Sequence, residues 1–394
     1  MPCIVLAESL GTSLWFCGTA SLPEVTQLWS LNSFSQGSLL AVVQIGFILG
    51  TLGLSLTGLA DAFPASRVFS AGCLLGSLAN FGFAYASGGW IDAMFWRFLT
   101  GVALAGIYPL GMKLVITWMP DRTGEALGWL VGSVSLGTSL PFLLRALGEQ
   151  IPWQWITVGA SFFAVLAAFL MLWLGDGPAA RPPGRKINLR IAWNCFRLPA
   201  YRASAFGYFG HMWELYAFWS TVPFLVRLVT DNRQQQSWWI FSIIAVGAAG
   251  NVLGGWWSRR IGSALVAIIA LTISGCMCLL CPLLPWMPIW LVILFLVVWG
   301  LSAPADSPQF SALSAKACLP EATGSALALQ NAIGFSVTVF GIQLTALSLE
   351  PMQFWIGWLW LPGPILGVLA MMSEFSVKRS DQAEPGKAAD APQP

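Results

Sequence analysis

Twelve runs of predominantly apolar residues follow one another along this chain, near 3–25, 37–58, 67–87, 92–117, 123–146, 153–174, 203–226, 237–257, 262–284, 286–313, 323–348 and 352–373. A helix crosses a bilayer in about 20 apolar residues. Nothing else in the sequence restricts the fold so strongly, because backbone inside hydrocarbon must satisfy its own hydrogen bonds, and runs of this length do so as helices. Composition agrees: 9% of the residues are charged and 57% hydrophobic, whereas soluble domains carry about 25% charged residues. Such a chain cannot cover a water-facing surface. An all-α integral membrane protein with twelve transmembrane helices is expected, with the lipid bilayer as its first partner. The net charge of +2 gives no reason to expect a nucleic-acid partner, and none is expected.

The basic residues orient the spans. With both termini cytoplasmic, the inner connections hold Arg67, Lys113, Arg122, Arg181, Arg185, Lys186, Arg190, Arg197, Arg202, Arg259, Arg260, Lys316, Lys378, Arg379 and Lys387, and the outer ones hold Arg145, Arg227 and Arg233. This excess marks the cytoplasmic side, and a multi-pass protein of the cell's inner (plasma) membrane is expected. The first run lacks a basic leader and continues past Trp15 to about Pro23, unlike a signal peptide. It begins almost at Met1, which is compatible with a start further upstream.

Residues 175–202 form the longest inner connection, rich in proline and charge, and separate a bundle of six spans at 1–174 from a second at 203–373. A polar tail, 374–394, is expected to be disordered. An internal repeat supports the division. Pro23 and Pro223 lie 200 apart, Gly101 and Pro109 precede Gly300 and Pro308 by 199, and Thr123-Gly124-Glu125-Ala126-Leu127 precedes Thr323-Gly324-Ser325-Ala326-Leu327 by 200. Two six-span repeats with a solute site between them are a known transporter plan.

The ionisable residues fall where that plan needs them: Glu8 on the first span, Arg97 and Lys113 on the fourth, Glu125 and Arg145 on the fifth, His211 and Glu214 on the seventh, Asp306 on the tenth. The third, sixth, ninth and twelfth spans have none in their interiors. His211, the only histidine, and Glu214 are three residues apart, so a helix sets both on nearly the same face, with Tyr208 one turn earlier. Intramembrane charges are costly and mark function by default. Glu214 and His211 are therefore the expected proton-coupling pair, the alternative being a structural hydrogen bond between two helices. Arg97 could hold an anionic solute, pair with an acid such as Glu214, or brace the bundle through carbonyl groups. Tyr108, Tyr208, Trp15, Gln330 and Asn331 are further candidates for solute binding, against a packing role for the aromatic ones. Glu8 and Asp306, towards the inner ends of their spans, suit a cytoplasmic gate or proton exit. The eight cysteines include Cys276-x-Cys278-x-x-Cys281, but no second ligand cluster accompanies it. No metal or cofactor is expected, nor is an enzyme, since no nucleophile–base pair or phosphate-binding loop is present.

The chain resembles the major facilitator superfamily over its folded length. Thr57-Gly58-Leu59-Ala60-Asp61-Ala62-Phe63-Pro64-Ala65-Ser66-Arg67 is similar to that family's loop after the second span, with Asp61 and Arg67 in place and Pro64 and Ser66 departing from the pattern. Gly254 to Gly262, with Arg259, is similar to the equivalent loop of the second half, and Arg97-Phe98-Leu99-Thr100-Gly101 onward to Pro109 to the buried-arginine motif. The strings around Trp15, Tyr108-Pro109, His211 and Asp306 resemble a bacterial subgroup described as nitrate/nitrite-transporter-like, although its glycine-rich nitrate signatures are not apparent. The resemblance implies two pseudo-symmetric bundles and a monomer that moves a small polar or anionic solute by alternating access, with a proton as coupling ion. It also implies gating roles for Asp61, Arg67 and Arg259. Drug or metabolite efflux, and a non-transporting sensor or partner protein, are the alternatives.

Overall fold

The computed structural model describes residues 1–148, 151–179 and 189–383, and all regular structure among them is helical. Ten helical stretches are long and apolar enough to cross a bilayer. The last of them, 52 residues from Ala322 to Ser373, is about 78 Å of helix at 1.5 Å per residue, far more than one crossing. It folds as two passes, Pro320–Met352 and Pro362–Ala383, separated by turns at Gln353–Trp355 and Ile356–Trp360. The helix Pro199–Leu225 is long enough but too polar to join that set, and it supplies the seventh span. Twelve spans result, as the hydropathy predicts. The seventh begins at Pro199, four residues before the expected Ala203, and a short helix, Leu189–Cys195, occupies the end of the connection before it.

Three spans are broken. The first runs Pro2–Thr12 and Cys17–Trp29, the fourth Trp90–Ala105 and Tyr108–Trp118, the tenth Ile289–Ser302 and Ser307–Ala317. The fourth and tenth resume at Pro109 and Pro308, each in the first turn of its helix. Proline is tolerated there because that N–H has no helical partner. The same repeat sets the closest crossings. A Cβ on Gly101 would stand 2.1 Å from the Val43 carbonyl oxygen, and one on Gly300 2.1 Å from that of Ile243. Only glycine lets the fourth span meet the second, and the tenth meet the eighth, so closely.

The two six-span halves meet along two seams, the fifth span against the eighth and the second against the eleventh. Both seams are fastened at the face opposite the 175–202 connection. Ser38 Oγ donates to Gln343 Oε1 at 3.2 Å, Gln343 Nε2 to the Phe34 carbonyl at 3.2 Å, and Gln234 Nε2 to the Ala146 carbonyl at 2.9 Å. At the connection's own face, Arg259 Nη2 reaches across to Glu125 Oε2 at 2.9 Å, and Arg122 holds the same oxygen at 2.7 Å.

The start of the connection folds back on the first half. The helix Ala65–Tyr85 has Pro64 at its N-cap, which offers no side-chain acceptor. Asp176 supplies one from a distance: its carboxylate accepts from Ala65 N at 3.0 Å and Ser66 N at 2.8 Å. Gly177 N donates to Thr117 Oγ1 at 3.2 Å, and Trp118 Nε1 to the Gly175 carbonyl at 3.2 Å, so the third, fourth and sixth spans are tied at one face. Partial burial raises the Asp176 pKa, but the backbone bonds from Ser66 and Ala65 and the charge of Lys113 outweigh it and hold the carboxyl below its usual range. A depressed carboxyl pKa stabilises the fold above the ordinary aspartate range, and that contribution disappears as pH falls through the folded value. Asp176→Ala should therefore cost about 1 kcal/mol, as for a lost helix cap, and thermal unfolding of the two proteins should converge at strongly acidic pH. An equal gap at all pH values would rule out the charged cap.

Candidate functional site

The seventh span carries Tyr208, His211, Met212, Leu215, Tyr216 and Trp219 on one helical stripe, and that stripe forms one wall of a cavity of about 40 Å³ between the halves. Tyr108, Val131, Val134 and Ser135 of the first half close it, with Asn251 and Phe335 of the second. An aromatic cluster adjoins it. Trp15 and Phe47 of the first half meet Phe335 with ring centroids 5.8 and 4.4 Å away, and Phe16 meets Trp219 edge-on at 5.8 Å. The cavity is small, with room for water.

His211 and Glu214 do not pair. Successive residues turn by about 100° on a helix, so three leave about 60° between side chains. The cavity stripe lies on the far side of His211 from Glu214. Glu214 instead points into the second bundle, where its carboxylate accepts from Trp299 Nε1 at 2.7 Å, Ser274 Oγ at 3.0 Å and Cys278 Sγ at 3.4 Å. The partner of His211 is Asp306: Nδ1 lies 2.7 Å from Oδ1, and both side chains are 1% exposed. The imidazole and the carboxyl group are thus in direct contact. His211 Nε2 has no partner. The break in the tenth span puts Asp306 immediately before its second helix, next to Ser307 and near Pro304, which line the cavity.

Arg97 takes the carbonyl-bound arrangement. The first span unwinds between its two helices, and the freed carbonyls of Leu14 and Trp15 accept from Arg97, with Leu14 at 3.0 Å; Asn80 Oδ1 accepts at 3.2 Å. Arg97 is 1% exposed, packs over Phe83, and is not bonded to Glu214. The repeat offset gives this a counterpart. Glu214 lies 200 residues after Leu14. In the first half a donor on the fourth span holds a main-chain oxygen of the first; in the second half Trp299 on the tenth holds the Glu214 side chain of the unbroken seventh.

The other expected residues are dispersed. Tyr108 and Tyr208 line the cavity, the Tyr208 ring 5.9 Å from His211. Trp15 is buried in the aromatic cluster with its Nε1 unpaired. Gln330 is fully buried with neither amide atom hydrogen-bonded, and its neighbour Asn331 is half-buried. Glu8 is also fully buried with both carboxyl oxygens unpaired, set against Gly111 of the fourth span. Arg259 bridges the halves through Glu125, and Arg67 is exposed without an ion-pair partner among the described residues. The side chain of Asp61 lies outside the described residues. Residue types alone did not single out Asn80, Trp299, Trp219 or Phe335. The repeat could have pointed to Trp299, which stands one residue before the Gly300 crossing.

A sequence profile described as Major Facilitator Superfamily matches residues 4–203 and again 204–394. Among curated relatives, a putative metabolite transport protein of Haemophilus influenzae is 31% identical over 147 residues, 36% of this chain and 34% of that protein. The 4-hydroxybenzoate transporter of Pseudomonas putida is 28% identical over 161 residues, 39% and 34% of the two chains. The niacin transporter of Acinetobacter baylyi is 33% identical over 118 residues, 27% and 26%. The chain thus spans about a third or less of the length of these relatives. A solved structure of a proton:xylose symporter bound to 6-bromo-6-deoxy-D-glucose superposes with a TM-score of 0.73 over 95% of both chains at 13% identity, a likeness of fold.

Arg97→Lys should lower the thermal midpoint of the purified protein and leave solute affinity unchanged, because one ammonium cannot reach three acceptors across the helix break. Each buried acceptor left unpaired costs about 1–3 kcal/mol. A stable Arg97→Lys protein with weakened solute binding would instead make Arg97 a solute ligand.

Proposed function

Because this chain belongs to the Major Facilitator Superfamily, and is thus a membrane transporter rather than an enzyme, we propose that it couples movement of a small aromatic carboxylate to a proton, with His211 and Asp306 as the coupling pair and the monomer as the working unit. The observation that carries this reading is the His211–Asp306 contact, 2.7 Å long and buried, with His211 on the wall of a cavity that both halves line. The aromatic character of that cavity and its surroundings suits a flat ring. The transporters of 4-hydroxybenzoate and niacin among the relatives are named for aromatic solutes. The local strings similar to nitrate/nitrite-type transporters gain no support from those relatives.

The chemistry follows from charge. While Asp306 is ionised it holds the imidazolium of His211. A proton taken up on Asp306 cancels that attraction and frees His211, whose Nε2 has no hydrogen-bond partner among the described residues, to bind the solute carboxylate. Loss of the proton on the other side restores the ion pair and expels the anion. One proton then accompanies one monoanion, and the cycle is electroneutral. Access alternates as the Glu125–Arg259 contact opens at one face and the Ser38–Gln343 and Gln234–Ala146 contacts at the other. Glu8, buried without a donor, is a second group able to carry a proton.

The test is external pH in lightly buffered vesicles on addition of benzoate, nicotinate, nitrate, sugars and amino acids. Aromatic carboxylates should trigger proton uptake that a membrane potential does not accelerate. Asp306→Asn should reduce that uptake by about tenfold or more, the size of a coupling of about 1–3 kcal/mol, while solute counterflow persists. Glu214→Gln should retain coupling. Uncoupling by Glu214→Gln with Asp306→Asn unaffected would move the proton site to Glu214.

A further inference from the structure

We propose that the face opposite the 175–202 connection carries a second site, for a phosphate-type anion that keeps one hydroxyl, held between Arg145 of the fifth span and Arg233 of the eighth. A polar cavity of about 240 Å³ lies there, and its walls come from both halves: Glu24 and Arg145 from the first, Arg233, Gln234 and Ser237 from the second. Arg145 is already engaged, pairing with Glu24 Oε1 and donating to the Ala20 carbonyl. Arg233 is exposed and its guanidinium has no hydrogen bond or ion pair among the described residues. The two guanidiniums repel each other across the cavity. Arg233 also opens the 29-residue eighth-span helix, whose N-terminal end adds partial positive charge. Among the described residues two cations, one of them without a partner, face one carboxylate, and this excess of positive charge calls for an anion.

The second oxygen of Glu24 sharpens the class of ligand. Oε2 is buried and accepts no hydrogen bond. A fully deprotonated anion would press a lone pair against it, whereas an oxyanion bearing an O–H donates to Glu24 and accepts from both arginines. Hydrogen phosphate and the terminal group of a phosphate monoester have that pattern. Sulfate and the phosphodiester of a bilayer lipid do not. Because the cavity exists only while the fifth and eighth spans are together at this face, next to the Gln234–Ala146 contact, a bound anion ties the halves and holds this face closed.

The experiment measures thermal unfolding of the full chain in nanodiscs of uncharged lipid, titrated with inorganic phosphate or sulfate at constant ionic strength. Hydrogen exchange of residues 230–237, the start of the eighth-span helix and the loop before it, is followed alongside. Phosphate should raise the midpoint saturably and slow exchange, with sulfate weaker by about tenfold or more for want of the hydroxyl. Arg233→Gln should abolish the phosphate response and, by relieving the repulsion with Arg145, leave the unliganded midpoint no lower than before. A parallel set of nanodiscs containing phosphatidic acid separates the sources: stabilisation there, dependent on Arg233, assigns the monoester to lipid rather than to free phosphate. Equal responses to phosphate and sulfate, a response that follows ionic strength without saturating, or an unchanged response in Arg233→Gln would overturn the proposal. The readout needs neither a transported solute nor a pH gradient, so it stands or falls separately from proton coupling.

Discussion

A polar group set inside a membrane span has no water to turn to, and this structure is arranged around that fact. Each half contains one deep contact that answers it. In the first, the guanidinium of Arg97 collects the carbonyls that the broken first span releases. In the second, the indole of Trp299 meets the carboxylate of Glu214. These contacts tie the first span to the fourth and the seventh to the tenth, and the fourth, seventh and tenth each contribute to the walls of the central cavity. Without Arg97 the break in the first span would leave backbone carbonyls unpaired, and without Trp299 the Glu214 carboxylate would lose its closest donor.

Once such structural contacts are assigned, the polar groups left over become informative. His211 Nε2, both oxygens of Glu8 and the whole amide of Gln330 are buried without hydrogen-bond partners among the described residues. Folding has not used them, and buried orphans are costly. They lie in the interior of a protein whose halves are fastened at both faces, by Glu125–Arg259 at one and by Ser38–Gln343 and Gln234–Ala146 at the other. An interior whose halves are fastened at both faces and which holds unspent polar groups suits a site that is filled and emptied in turn.

Much of this was legible in the chain. Twelve spans in two related halves follow from hydropathy and from a repeat with a nearly constant offset, although that repeat gave no warning that the helices break just before Pro109 and Pro308. Buried charge at Arg97, His211, Glu214 and Asp306 was equally visible, because such residues stand out in apolar runs. Their pairing was not. Three residues of spacing placed Glu214 beside His211, yet the remaining angle of about 60° sent one into the bundle and the other to the cavity. Asn80, Ser274 and Trp299 look unremarkable as residue types and become partners only when their helices cross.

The sequence by itself determined that this protein lives in a bilayer, as two related bundles of six helices, since apolar length and periodic repetition are local properties that no packing can reverse. Only the tertiary structure decided which charge serves the fold and which faces the interior. It gave Arg97 to carbonyl groups, Glu214 to Trp299, and His211 to Asp306. That choice depends on how each helix is rotated about its axis against neighbours far away in the chain, a quantity set by side-chain packing at glycine-lined crossings and written in no single span.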